Sequence, residues 1–243
     1  MKAGKLKTLS IVVFSVLATA NTCSKAVIRR MLGNISRPWV DKTMQKWVDQ
    51  VLKLVGVNVN VYNPTEAKPI KGKPTIIMCN HSSLYDIPIS IKAFPNASIR
   101  MLSKKEISRV PIMAGGMHAA EFPFIDRKNR KQAIKDLEAV KKLMETGIVV
   151  WIAPEGTRSK DGKLAKFKKG GFIIAIESGA TIIPIGIRGA FDILPARTKR
   201  FNINQQAEVH IGKAIDASEY SLENREELIE KTYQEMKKLV GEN

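Results

Sequence analysis

Three apolar runs in this chain, "TIIMCN", "IVVWIAP" and "TIIPIGIRG", are continuous rather than alternating, and each ends abruptly in polar or glycine-containing sequence. A strand with one wet face alternates apolar and polar residues. A strand that is apolar throughout is covered on both faces, which is how strands of a parallel sheet sit. The intervening sequence is helical in pattern. "RKQAIKDLEAVKKLMETG" carries Ile134, Leu137, Val140, Leu143 and Met144 at helical spacing and stops at Gly147, and "KKGGFIIAIESG" reads as a helix ending at Gly179. "SIRMLS" (98–103) reads as a further strand, and "AEVHIG" as a late strand near an edge. The closing helix, "LENREELIEKTYQEMKKLVG", has Leu228, Ile229, Met236, Leu239 and Val240 on its apolar face. Strands alternating with helices imply an α/β fold: a mostly parallel or mixed sheet flanked by helices.

In such sheets, chemistry gathers beyond the carboxyl ends of the strands. Three segments follow predicted strands directly: Asn80-His81, residues 153–159 and residues 187–190. His81 is one of three histidines, and Asp86 stands five residues on. On a straight helix that separation leaves two side chains about 140° apart, so a turn has to bring them together. Asp86 precedes Ile87-Pro88, where it can cap a helix through "IPISIKAF". On these residues alone, His81 is either a polar turn residue or a base with its orienting acid.

Basic segments accompany the histidine. In "APEGTRSKDGKLAKFKKGG", Gly156 permits close backbone approach and Arg158 can fork onto a phosphate or carboxylate. Lys163, Lys166, Lys168 and Lys169 add positive potential, unless they simply form a solvated loop. "FPFIDRKNR" offers Arg127 as a phosphate clamp with Asp126 orienting its guanidinium, the alternative being a surface ion pair of little worth. "LSKKEISRVP" places Lys104 and Lys105 just after a strand, with Glu106 following. Over the whole chain, 40 Lys and Arg against 23 Asp and Glu give a net charge of +17, so an anionic partner is expected. Nucleic acid, an anionic membrane and phosphorylated metabolites all satisfy that.

The chain of 243 residues is long enough for one substantial α/β domain with a small appendage. The appendage is N-terminal. Lys2, Lys5 and Lys7 precede an apolar stretch from about Leu9 to Ala20, with Ala18-x-Ala20 as a possible cleavage site. The stretch is short of the ~20 residues a comfortable span needs. It reads either as a secretory signal or as an uncleaved helix lying in the interface or dipping into one leaflet. Downstream, Trp39, Val40, Met44, Trp47, Val48, Val51, Leu52, Leu54 and Val55 recur at roughly helical spacing between lysines, the composition of an interfacial membrane helix. Residues 1–62 are therefore expected to be membrane-anchoring helices and residues 63–243 the α/β domain. Cys23 and Cys79 are far apart and sit in no Cys/His cluster, so neither a disulfide nor a metal site is expected.

"NHSSLYD", "FIDR", "PEGTRS" and "IIPIGI", in this order and spacing, resemble the four sequence blocks of the glycerolipid acyltransferases. The resemblance runs from about residue 74 to 190 and is closest to the 1-acyl-sn-glycerol-3-phosphate acyltransferases. It implies that His81 is a general base with Asp86 as its partner. It implies that Arg127 with Lys105 meets the acceptor's phosphate, that Glu155, Gly156, Thr157 and Arg158 complete the acceptor site, and that the block around Pro184 serves catalysis or donor binding. Two positions depart from the family's habit: Ala153 stands where Phe is common before Pro-Glu-Gly, and Glu121 where Gly is common. The resemblance implies acyl transfer from acyl-coenzyme A or acyl carrier protein to the free hydroxyl of lysophosphatidic acid, with no cofactor beyond the donor and no nucleic acid. A cytosolic donor favours a retained N-terminal helix at the cytoplasmic face of a membrane, the inner membrane in a bacterium. The competing readings are a related acyltransferase for glycerol-3-phosphate or another lysolipid, and a basic nucleic-acid- or membrane-binding module. The 15 aromatics, mostly inside apolar runs, give the last little support.

Overall fold

The computed structural model describes residues 1–242, the side chain at position 130 excepted. Helices α1 (Lys5–Met31) and α2 (Arg37–Val55) come first, then strands β1 (Asn58–Tyr62) and β2 (Thr75–Cys79). Helix α3 (Asp86–Ala93), β3 (Ile99–Met101), β4 (Ser103–Lys104) and a 3₁₀ turn over Lys105–Arg109 lead into α4 (Met113–Ala119) and β5 (Phe124–Ile125). Next come α5 (Arg130–Glu145), β6 (Val149–Ile152), α6 (Gly170–Glu177), β7 (Thr181–Arg188) and α7 (Ala190–Ile193). Strands β8 (Gln206–Ile211) and β9 (Ile215–Asp216) and helix α8 (Arg225–Val240) complete the chain.

The main sheet runs β1-β8-β7-β2-β6-β3, with β9 paired to β7. Strands β7, β2, β6 and β3 are mutually parallel, while β8 and β9 run antiparallel to β7. The sheet is therefore mixed, as the alternating pattern implied. The continuous apolar runs divide their residues between two cores. In β2, Ile77 and Cys79 pack towards α2 and α3, and Ile76 and Met78 towards α5, α6 and α8. Pro184 lies in β7 opposite Met78, an unusual place for a residue without an N–H. It is tolerated because β8 gives way to β9 there: Pro184 O accepts from Gly212 N at 2.9 Å, and no strand partner on that side needs its missing donor. The "AEVHIG" strand is one place in from the edge, which β1 occupies.

Strand β1 falls before the expected boundary at residue 62, yet it pairs in register with β8 and is part of the sheet. Helix α2 also departs from expectation. Its apolar stripe, Val40, Met44, Val48, Leu52 and Val55, is buried in the core beneath α2 rather than turned outward. Lysines interleaved with apolar residues are equally the mark of a helix covering a sheet, and here the sheet claims the stripe. Helix α1 is different: Leu6, Leu9, Phe14, Val16 and Leu17 stand exposed. It is 27 residues long, apolar enough to cross a bilayer, and it runs unbroken through Ala18 and Ala20. Both of its ends are held on the domain. Ala3 N donates to Phe201 O and Ile203 N to Met1 O at 2.8 Å each, and Arg30 reaches His118 O. Trp47 on α2 donates to Thr19 at its middle.

Candidate active site

Because β7, β2 and β6 are parallel neighbours, their carboxyl ends bring Asn80-His81, the 153–159 turn and the 187–190 turn to one edge of the sheet. Asn80 fastens the first to the third. Its amide donates to Ile187 O at 3.0 Å, and its Oδ1 accepts from Ile187 N at 2.7 Å. Sequence reading gave Asn80 no role; the available signal was an amide side chain one residue past an apolar strand.

His81 Nδ1 lies 2.8 Å from Asp86 Oδ2, and the same oxygen accepts the N–H groups of Ser82 and Ser83 at 2.7 Å each. Asp86 is fully buried. It is the first residue of α3 rather than its cap: its carboxylate turns back and gathers the loop that precedes it. That loop closes the angle a straight helix would leave between positions 81 and 86. Since Nδ1 faces an acceptor, it carries the proton and Nε2 presents its lone pair. Nε2 makes no hydrogen bond with the described residues. The imidazole side chain is 16% exposed, open on that side and backed by the Trp151 ring edge-on at 5.7 Å. Trp151 donates to Ser90 Oγ, which donates to the backbone carbonyl of Asp86, so the support beneath the pair is itself hydrogen-bonded. Asp86 Oδ1 is buried without a partner among the described residues. An imidazolium formed on His81 would compensate the carboxylate's charge.

Glu155 plays a part that sequence reading did not foresee. Its Oε1 accepts the N–H of His81 at 2.7 Å and its Oε2 that of Ala165 at 3.0 Å. Ser159 N donates to His81 O at 2.7 Å, completing a two-point attachment of the "PEGTRS" turn to the histidine. Both carboxylate oxygens are thus committed to backbone. Burial pushes Glu155 up from 4.5 to about 7, the two N–H donors opposing that rise.

Beside this strut opens a cavity of about 330 Å³, lined by Lys104, Arg127, Lys128 and Lys168 together with Glu106 and the Glu155–Thr157 turn. Gly156 sits at φ 77°, where a side chain would be strained and would crowd Arg127. That conformation aims Gly156 O at Arg127 Nη1, 2.9 Å away. The N–H groups of Thr157 and Arg158 have no partner among the described residues. Four cationic side chains beside the unpaired Thr157 amide suit an anion such as a phosphate. The expected partners are partly exchanged. Asp126 orients Lys105, at 2.9 Å, and not Arg127. Lys105 does not line the cavity, whose wall Lys104 occupies. Arg158 is half-buried and lies off the wall. Pro184 is within the sheet; what β7 brings to the site is Ile187, held by Asn80.

A solved relative carries the same architecture. A crystal structure of the 1-acyl-sn-glycerophosphate (LPA) acyltransferase PlsC from Thermotoga maritima superimposes with a TM-score of 0.80 at 25% identity, covering 97% of this chain and 93% of that one. The chloroplastic 1-acyl-sn-glycerol-3-phosphate acyltransferase LPAT1 of Arabidopsis thaliana is 31% identical over 63% of this chain and 42% of its own length. The human 1-acyl-sn-glycerol-3-phosphate acyltransferase alpha is 28% identical over 63% and 53%. The match thus spans about half the length of these curated relatives. Residues 58–188, from the first strand to the end of β7, match the family described as Acyltransferase, and the chain belongs to that family.

Proposed function

We propose that the protein transfers a fatty acyl group from a thioester, acyl-coenzyme A or acyl carrier protein, to the sn-2 hydroxyl of 1-acyl-glycerol-3-phosphate, giving phosphatidic acid. The observation that carries this reading is a histidine with one nitrogen committed to a buried aspartate and the other open, joined through Glu155 to a basic cavity. A hydroxyl is a poor nucleophile until its proton is taken. Nε2 of His81 would take it as the oxygen attacks the thioester carbonyl, and return it to the departing thiolate. Asp86 holds the tautomer and stabilises the imidazolium. Lys104, Arg127 and Lys168 would hold the acceptor's phosphate, fixing the distance between phosphate and reacting hydroxyl. No acyl-enzyme is needed, and Cys79 is buried inside β2.

Membrane association follows from the substrate and from α1. The exposed apolar residues of α1 would lie in one leaflet, since both helix ends are fastened to the same domain. A donor drawn from the cytosol places that leaflet on the cytoplasmic side. A transfer assay crossing both donors with lysophosphatidic acid, glycerol-3-phosphate and other lysolipids tests the reading. Lysophosphatidic acid is expected to be preferred, and Arg127→Ala to raise its KM while leaving the donor's unchanged. Equal rates on acceptors lacking phosphate would overturn the acceptor assignment.

A further inference from the structure

The 3₁₀ turn Lys105–Arg109 is joined to α4 by Val110-Pro111-Ile112, and the backbone of this tip is strained. Ile112 sits at φ 63°, ψ −53°, with Met113 N bonded back to Pro111 O at 2.6 Å. This is a γ-turn of the rare positive-φ kind, centred on a β-branched residue, for which the conformation is an outlier. Glycine or asparagine would relax it. Isoleucine does not, and it gains no core burial in return: Ile112 is 54% exposed and Val110 45%. A strained backbone that pushes a large apolar side chain into solvent points to a function outside the domain's own packing.

The tip is continuous with α1. Helix α4 packs on α1 through Gly115 and Gly116, where an added Cβ would press on Val27 and collide with Cys23. Ile112 lies one helical turn earlier, about 6 Å along the axis. We propose that Val110 and Ile112 form a second point of insertion into an anionic lipid leaflet, beside the exposed face of α1. The proposal rests on the membrane reading above and gives it an orientation: one helix alone lets the protein roll, whereas two separated contacts fix its tilt. They also fix depth. Lys104, on the cavity wall, is joined to the tip by a five-residue 3₁₀ turn. At ~2.0 Å per residue that is about 10 Å, somewhat more than one headgroup layer of about 5–8 Å. A phosphate in the cavity would then stay at headgroup level while its acyl chain remains in the bilayer. Arg109, exposed beside Val110, would face the headgroups, and the junction of α4 with α1, at whose end Ile28, Met31 and Leu32 are also exposed, favours a lipid surface over a protein partner for this patch.

The test uses an environment-sensitive fluorophore on single cysteines in the full chain, on a Cys23→Ala background. Cys79 is buried and does not react while the protein is folded. Labels go at Val110→Cys, at Leu17→Cys on α1, and at Ile70→Cys, exposed ahead of β2 at the opposite end of the sheet. On vesicles of phosphatidylcholine and phosphatidylglycerol, the labels at 110 and 17 should shift to the blue and be quenched by brominated lipid, while 70 stays in water. Insertion at 17 without insertion at 110 overturns the tip proposal and leaves the membrane reading standing; failure at both sites overturns the two together. Ile112→Gly provides a second measurement, because it removes the side chain while relaxing the turn. It should fold at least as stably as the parent and lose about tenfold in vesicle partitioning. Unchanged partitioning would also overturn the proposal.

Discussion

His81, the proposed base, and the residues that hold it have separable effects. The His81 side chain is only 16% exposed, but Asp86 Oδ2 keeps the Ser82 and Ser83 N–H bonds without it, so His81→Ala should lose about 10²–10⁴-fold in acyl transfer with little change in melting temperature. Asp86→Asn should lose both activity and stability. Three donors converge on Oδ2, and leaving one facing an amide costs about 1–3 kcal/mol, readable as a lower urea midpoint. Full transfer activity in His81→Ala would end the mechanism. Glu155 has a different signature. Between pH 4.5 and about 7 the folded protein keeps a proton on Glu155 that the unfolded chain has released. Stability from this group therefore falls as pH rises through that window and is level above it. The full difference is of order 3 kcal/mol. Glu155→Gln cannot titrate, so the difference between wild-type and variant unfolding free energies should slope downward across the window. Parallel profiles would mean that Glu155 ionises normally. The His81/Asp86 pair was legible in the sequence only through the resemblance of the four blocks, since the two residues alone fit a polar turn as well as a base with its acid. The strut role of Glu155 was not, because backbone N–H groups carry no residue identity and a carboxylate aimed at them looks like one aimed at a ligand.

At the scale of elements, the α2 contact on the sheet edge turns on Glu121. This residue stands in left-handed backbone at φ 63° and forms a two-pronged bond with Arg37, at 2.7 and 2.9 Å. Arg37 also donates to Thr146 O and Oγ1, so one guanidinium ties α2 to the turns after α4 and α5. A positive φ would suit glycine at this position: a side chain there costs roughly 1–2 kcal/mol of backbone strain. Here the bridge offsets the strain. Glu121→Gly loses the bridge and gains the relaxation, and should be nearly neutral. Glu121→Ala loses the bridge and keeps the strain, and should fall below Gly by about 1 kcal/mol in urea unfolding. Equal losses in the two variants would remove the strain argument. The same distinction marks what was readable among the elements. Continuous apolar runs identified β2, β6 and β7, since burial on two faces leaves a compositional trace. The exchange of Asp126 from Arg127 to Lys105 left none, because neighbouring cations differ only in where the turn points them.

For the whole molecule, charge and apolar surface act together, and only one of them has its location written in the sequence. A charge of +17 announced an anionic partner without saying where it binds; folding brings Lys104, the adjacent Arg127 and Lys128, and Lys168 from three separate segments around one cavity. The apolar start of the chain was legible as a secretory signal or a membrane helix, and the structure shows it as one long helix with exposed apolar residues. Whether it spans depends on what its ends touch, which hydropathy does not encode. Helix α1, at 27 residues and about 1.5 Å each, is roughly 40 Å long, ample for a hydrocarbon core of about 30 Å. Length therefore permits a crossing, and on the membrane reading proposed above the tertiary contacts favour a helix that lies in one leaflet. Met1–Ala3 pair with residues 201–203, Thr19 meets Trp47, and Arg30 meets His118, all on one domain. A crossing would break the contacts at one end and carry basic side chains through the bilayer, at about 2.5–3.5 kcal/mol per residue near its centre. A helix lying in one leaflet keeps them all. With cysteines placed at Lys2 and at Asn34, both exposed at the two ends of α1, a membrane-impermeant maleimide added outside sealed vesicles should label both positions equally. A spanning helix would protect one position until detergent is added. Raising the salt should weaken binding by screening the basic surface beyond a Debye length of about 8 Å, while leaving a salt-resistant fraction held by α1. Complete release by salt would mean that the exposed face of α1 never enters the lipid.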